Sequence, residues 1–209
     1  MASKRKINLK KQRATLTVAA VAAAVYSFPS LADILVYNRQ SVLEGEIWRI
    51  FTAPLVHFSF GHFLCDTLIF ATAGFTVSHA GFPYFRAVCF LSAFVPGVVY
   101  LMFFPDLEYY GGLSGMATGA VVFYCLCTIF MTGKRKTVWV LIPALTVLKI
   151  VMEYKIDSPV FVDAGTAGFV VLPSAHIIGY AAALAVFIWS WYNKIYLKVK
   201  MIQFRLYMK

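Results

Sequence analysis

Four ionisable side chains stand where an apolar chain has least use for them: His57, His62, Asp66 and His176 all fall inside long hydrophobic runs. A charge there is costly, so a functional site is the default reading. Taken singly, each histidine could equally be a structural residue bonded to a backbone carbonyl. Ser114 changes the balance, standing in Gly111-Gly112-Leu113-Ser114-Gly115. A serine hydroxyl is a weak nucleophile until a base takes its proton. A neutral imidazole supplies that base and later protonates a leaving amine. Ser114 and His176 are therefore a candidate nucleophile and base for acyl transfer. The oxyanion formed on the way needs donors, and losing one costs ~10²–10³ in rate. Backbone amides around Gly112 and Leu113, where a helix begins, are candidates because the first four amides of a helix lack intrahelical partners. His62, four residues before Asp66 on the same helical face, adds a side-chain donor. No acidic residue close to His176 in the sequence offers a third member, so a dyad is the simplest expectation.

Elements must bring these residues together, and composition decides their surroundings. The chain is 61% hydrophobic, 17% aromatic and 13% charged, outside the range of soluble domains. It cannot cover itself with polar groups, so lipid is its solvent. Six runs are long enough to span a bilayer: 15–36, 51–77, 84–104, 112–132, 137–154 and 168–192. The expected fold is an all-α polytopic membrane protein, a six-transmembrane-helix bundle over 15–192. A basic segment 1–14 precedes it and a basic tail 193–209 follows. The first run is read as one helix rather than a cleaved signal. In the second run Pro54 falls in the first turn, where its missing N–H costs little.

Basic residues set orientation. With six spans both termini share a side, and that side collects 15 of the 19 Lys and Arg residues. Both termini are therefore expected in the cytoplasm. The net charge of +10 flanks the spans and forms no basic stripe interleaved with aromatics, so nucleic acid is excluded as a partner. Cys65, Cys89, Cys125 and Cys127 lie in apolar runs with neither metal nor disulfide spacing. They read as small buried hydrophobes. No metal and no cofactor is expected, and oligomeric state is not encoded in any visible motif. His79 lies in a loop and reads as solvated.

Gly111, Gly115 and Gly119 recur every four residues, and so do Ala175, Gly179 and Ala183. Small-residue stripes let helix backbones approach closely. Packing alone accounts for such stripes. If these two face each other, however, Ser114 and His176 meet, so the structural and functional readings agree.

These residues resemble the rhomboid intramembrane serine proteases. The matching pieces are Gly45-Glu46-Ile47-Trp48-Arg49 before the second span, His57 and His62, Gly112-Leu113-Ser114-Gly115, and Ala175-His176-Ile177-Ile178-Gly179. Their order matches the family's six-helix core across nearly the whole chain. Small size, a short first loop and no added domain resemble the bacterial rhombosortase branch, whose members process C-terminal Gly-Gly, helix and basic-tail signals. The resemblance implies Ser114 as nucleophile, His176 as base, His62 as oxyanion donor and His57 as a brace for the neighbouring loop. It implies Trp48 and Arg49 as anchors of the first loop in the outer interface.

Two positions depart from the family pattern. Asp66 stands where many rhomboids carry a donating Asn. It serves as a donor only if burial keeps it protonated; otherwise it pairs with His62 or faces elsewhere. Thr118 stands where a Tyr or His packs on the catalytic imidazole, so His176 must be oriented by something else. The implied partners are transmembrane protein substrates in the bilayer of a bacterial inner membrane, cut near its outer boundary. Glycine there is expected, because it weakens a helix by ~1 kcal/mol relative to Ala. The alternatives are an inactive rhomboid-like protein that binds or escorts membrane proteins, and a small transporter using His and Asp66 as a proton relay. The transporter's expected marks, paired broken segments, are absent from the sequence.

Overall fold

The computed structural model describes residues 9–132, 137–156 and 172–207. It is almost wholly helical. Among the described residues five helices are long and apolar enough to cross a membrane: α5 (Phe60–Ala80), α6 (Phe85–Phe103), α7 (Ser114–Thr132), α8 (Thr137–Ile156) and α9 (Pro173–Tyr207), the last over Pro173–Lys194. A bent pair, α1 (Leu9–Ser27) and α2 (Pro29–Leu35), makes a sixth if counted as one span. The chain is thus a polytopic helical membrane bundle.

Two segments differ from the expected spans. The run 15–36 is not one helix, because α1 and α2 are bent by 114°. Phe28 between them is extended (φ −126°, ψ 95°), as the residue before a proline prefers to be. The second run also starts late. Residues 51–59 hold the end of α4 (Arg49–Thr52), a 3-10 turn at Ala53–Leu55 and extended backbone. Helix α5 begins only where Ser59 caps it, its Oγ accepting from the amide of His62 at 3.2 Å. His57 therefore lies in a loop rather than in a span. The expected loop at 154–168 and the basic cluster Lys134-Arg135-Lys136 fall mostly or wholly outside the described residues.

Arg49 holds the bend together. Its guanidinium is buried, donates to the carbonyls of Asp33 at 2.7 Å and Val36 at 2.9 Å, and pairs with Glu46. Those carbonyls end α2 and have no helical partner of their own. Trp48 adds a ring N–H to Ile34 O at 3.2 Å, and Thr52 Oγ1 bonds Leu35 O at 2.7 Å. A two-residue antiparallel pairing, Tyr37 with Tyr110 and Asn38 with Tyr109, then ties this region to the segment that leads into α7.

The main core lies around α7. Leu113, Ala120, Val122, Phe123 and Cys127 are fully buried and pack with Phe70 and Val77 of α5 and Ala183 of α9. Helix α7 is the most enclosed of the candidate spans, whereas α8 is the least buried. A central helix surrounded by others suits a residue that must be held still.

Candidate active site

The two small-residue stripes face each other. A Cβ on Gly179 would clash with the carbonyl oxygen of Gly115, and one on Gly115 would lie 2.9 Å from that of Ala175. A Cβ on Gly119 would meet the Gly179 carbonyl at 3.0 Å and Ser92 Oγ at 2.7 Å. The backbones of α7 and α9 thus touch where only glycine fits. Gly111, outside the helix, instead packs on the carbonyls of Val56 and Ala53. Ser114 precedes Gly115, and His176 follows Ala175. Each therefore stands one residue from the point where the two backbones touch. His176 is buried and Ser114 half-buried.

His176 has a carboxylate neighbour from α8. Its Nδ1 lies 2.9 Å from Glu153 Oε2. The other carboxylate oxygen takes the Lys149 ammonium at 2.7 Å, and Lys149 Nζ is itself 3.3 Å from His176 Nδ1. Glu153 is only 2% exposed. Lys149 and Glu153 are four residues apart and so share one face of α8. Above them Tyr100 OH of α6 meets Ser174 Oγ at 3.0 Å, fixing the first turn of α9 from another side.

The second polar group surrounds the entry to α7. His62 Nε2 lies 3.1 Å from Asp66 Oδ2, and His57 Nε2 lies 3.7 Å from the same oxygen. Leu113 N–H donates to His57 Nε2 at 3.3 Å, and Gly112 N–H donates to Ala53 O at 3.2 Å. Gly112 has φ +117°, and a Cβ there would lie 2.5 Å from His62 Nε2. Glycine is required on both counts. Burial pushes the His57 imidazole down to about 4, against the upward pull of Asp66. The ligand atoms of His57, His62 and Asp66 lie within 4.8 Å of one another, a spacing that a divalent ion could bridge. The Nε2 lone pair of His57 already accepts from the Leu113 amide.

A protein-family model described as Rhomboid domain matches residues 44–193. The chain belongs to the rhomboid family. A search of curated proteins finds no match. Rhomboids are generally serine intramembrane proteases acting on membrane proteins within the bilayer, and the His57–His62–Asp66 and Lys149–Glu153–His176 groups both lie inside the matched region.

Within this rhomboid domain the named residues sort into three groups. Gly115 meets Ala175 and Gly179 at the α7–α9 seam, with Ser114 and His176 next to them in the chain. His57, His62, Asp66, Gly112 and Leu113 form the wall beside the start of α7. Trp48 and Arg49 are apart from both, holding α2. Of the two places open to Asp66, the structure has the one beside His62. The amides of Gly112 and Leu113 are already engaged. Those of Ser114, Gly115 and Met116 begin α7 and have no acceptor among the described residues. Reading the sequence near His176 alone missed Glu153 and Lys149, which approach from another helix. Their signal was present nonetheless: an acid and a base four apart inside an apolar run.

Proposed function

We propose that this rhomboid is an active intramembrane serine endopeptidase that cuts transmembrane segments near the outer boundary of the bilayer. The observation that supports the reading is the glycine-tight α7–α9 seam, where Gly115, next to Ser114, touches Ala175, next to His176. Ser114 Oγ attacks the scissile carbonyl as its proton passes to Nε2 of His176, the ring nitrogen opposite the Glu153 contact. The imidazolium then protonates the leaving amine, and water releases the acyl group by the reverse transfers. The free amides of Ser114 and Gly115 point along the start of α7, where the helix dipole favours negative charge. They are the oxyanion donors in this reading. Gly112, Leu113, His62 and Asp66 form the wall beside them, with His62 turning a ring N–H to the oxyanion when substrate enters.

The substrate class in this reading comes from the rhombosortase likeness: membrane-anchored proteins with glycines before a hydrophobic helix, including C-terminal Gly-Gly sorting signals. Both termini lie in the cytoplasm and the membrane is a bacterial inner membrane, on the strength of the basic-residue bias. The alternative, a non-cleaving member that binds or escorts membrane proteins, draws on one observation. The amides of Gly112 and Leu113 are spent at rest, and His62 faces Asp66.

Reconstitution decides between them. The full chain in liposomes with a Gly-rich transmembrane substrate should cleave it, while Ser114→Ala and His176→Ala should not. Equal product from all three would remove the protease reading, and substrate retained without cleavage by any of them would favour the escort.

A further inference from the structure

We propose that Glu153 selects the working tautomer of His176, against Lys149, which approaches the same ring nitrogen. The proposal rests on the reading of His176 as the base. A neutral imidazole carries one ring proton, on Nδ1 or on Nε2. Were Lys149 to donate to Nδ1 across its 3.3 Å separation, the ring proton would sit on Nε2. Ser114 would then face a donor and have no base. With Glu153 Oε2 at 2.9 Å, the proton belongs on Nδ1, and the Nε2 lone pair is left for the serine.

Three features decide the contest for Glu153. The carboxylate is nearer to Nδ1 than the ammonium is. A carboxylate accepts and does not donate, so an unprotonated Nδ1 would place two lone pairs in opposition. Lys149 has a closer partner in Glu153 Oε1, at 2.7 Å, which draws its protons away from the ring. Lys149 thereby balances a nearly fully buried acid and steers it. When the Ser114 proton reaches Nε2, the new imidazolium lies against Glu153. When that proton leaves with the amine, the ring returns to its Nδ1–H form. Glu153 gains and loses no proton in the cycle. It is a positioning residue, and it supplies the orientation that a ring at Thr118 gives in other rhomboids.

The test uses the full chain in liposomes, with ¹⁵N-histidine spectra in which His176 is identified by its loss in His176→Ala. The wild type and Ser114→Ala should both show Nδ1–H. Glu153→Gln should move the proton to Nε2 and lower kcat about 10²-fold or more, with KM within about twofold. Lys149→Met with Glu153→Gln leaves no lone buried charge and keeps a carbonyl for Nδ1–H. It should restore the Nδ1 form and recover part of kcat, while remaining about tenfold or more below wild type. An unchanged tautomer in Glu153→Gln would overturn the proposal. If that variant does not fold, a double variant with wild-type kcat does so instead. Cleavage that survives Ser114→Ala would remove the underlying protease reading, whereas cleavage abolished by Ser114→Ala but indifferent to Glu153 would remove only this proposal.

Discussion

Among the described residues two histidine–carboxyl pairs are of nearly equal length, and they use different ring nitrogens. His176 and Glu153 meet at 2.9 Å across two helices, α9 and α8. His62 and Asp66 meet at 3.1 Å within one helix, α5. In the first pair the carboxylate meets Nδ1 of the imidazole, which leaves Nε2 for Ser114 in the proposed mechanism. In the second it takes Nε2, the atom pressed against Gly112. If His176 is the base and His62 a donor, as proposed, the first carboxylate prepares its partner for work and the second holds its partner back. Proximity of His to Asp or Glu therefore says little until the nitrogen is named.

The largest expected break in this comparison is Glu153→Gln, which should cost about 10²-fold or more in kcat, read as initial cleavage rate. Next comes the His57 loop, whose folded form needs a neutral ring. Its pKa falls to about 4 from an unfolded value near 6.5. Its stabilising contribution is full above about 6.5, declines as the pH falls and is lost by about 4, a loss of roughly 3 kcal/mol. Thermal unfolding in detergent over that range should show it, and His57→Gln should flatten the slope. Asp66→Asn should change kcat by less than about tenfold, because an amide can both accept from His62 and donate to the oxyanion. A loss there as large as that of Glu153→Gln would erase the distinction between the two pairs. Smallest is Ser59→Ala, which removes the cap of α5 and should lower stability by about 1 kcal/mol with kcat unchanged.

Much of this arrangement was legible beforehand, because hydrophobic length and four-residue spacing are local signals. The apolar runs marked the spans of α6, α7 and α8 to within a few residues. Gly115 and Gly179 marked the seam for the same reason. The parts that escaped depend on context outside any window. Pro29 turned one apparent span into a bent pair, since a long apolar run conceals a single backbone break. His57 dropped into a loop because the 3-10 turn at Ala53–Leu55 and the Ser59 cap delay α5. Glu153 lies 23 positions before His176 in the sequence and reaches it only through the packing of α8 on α9. The missing aromatic at Thr118 posed the question of what orients His176, and no reading confined to α7 and α9 could answer it.

The most direct test of the central claim is labelling by a fluorophosphonate probe, followed by mass spectrometry to locate the adduct. The account predicts one adduct on Ser114 in the wild type, none in Ser114→Ala, and a rate reduced by about 10²-fold or more in His176→Ala. An adduct at another residue, or labelling of Ser114 at an unchanged rate without His176, would contradict it.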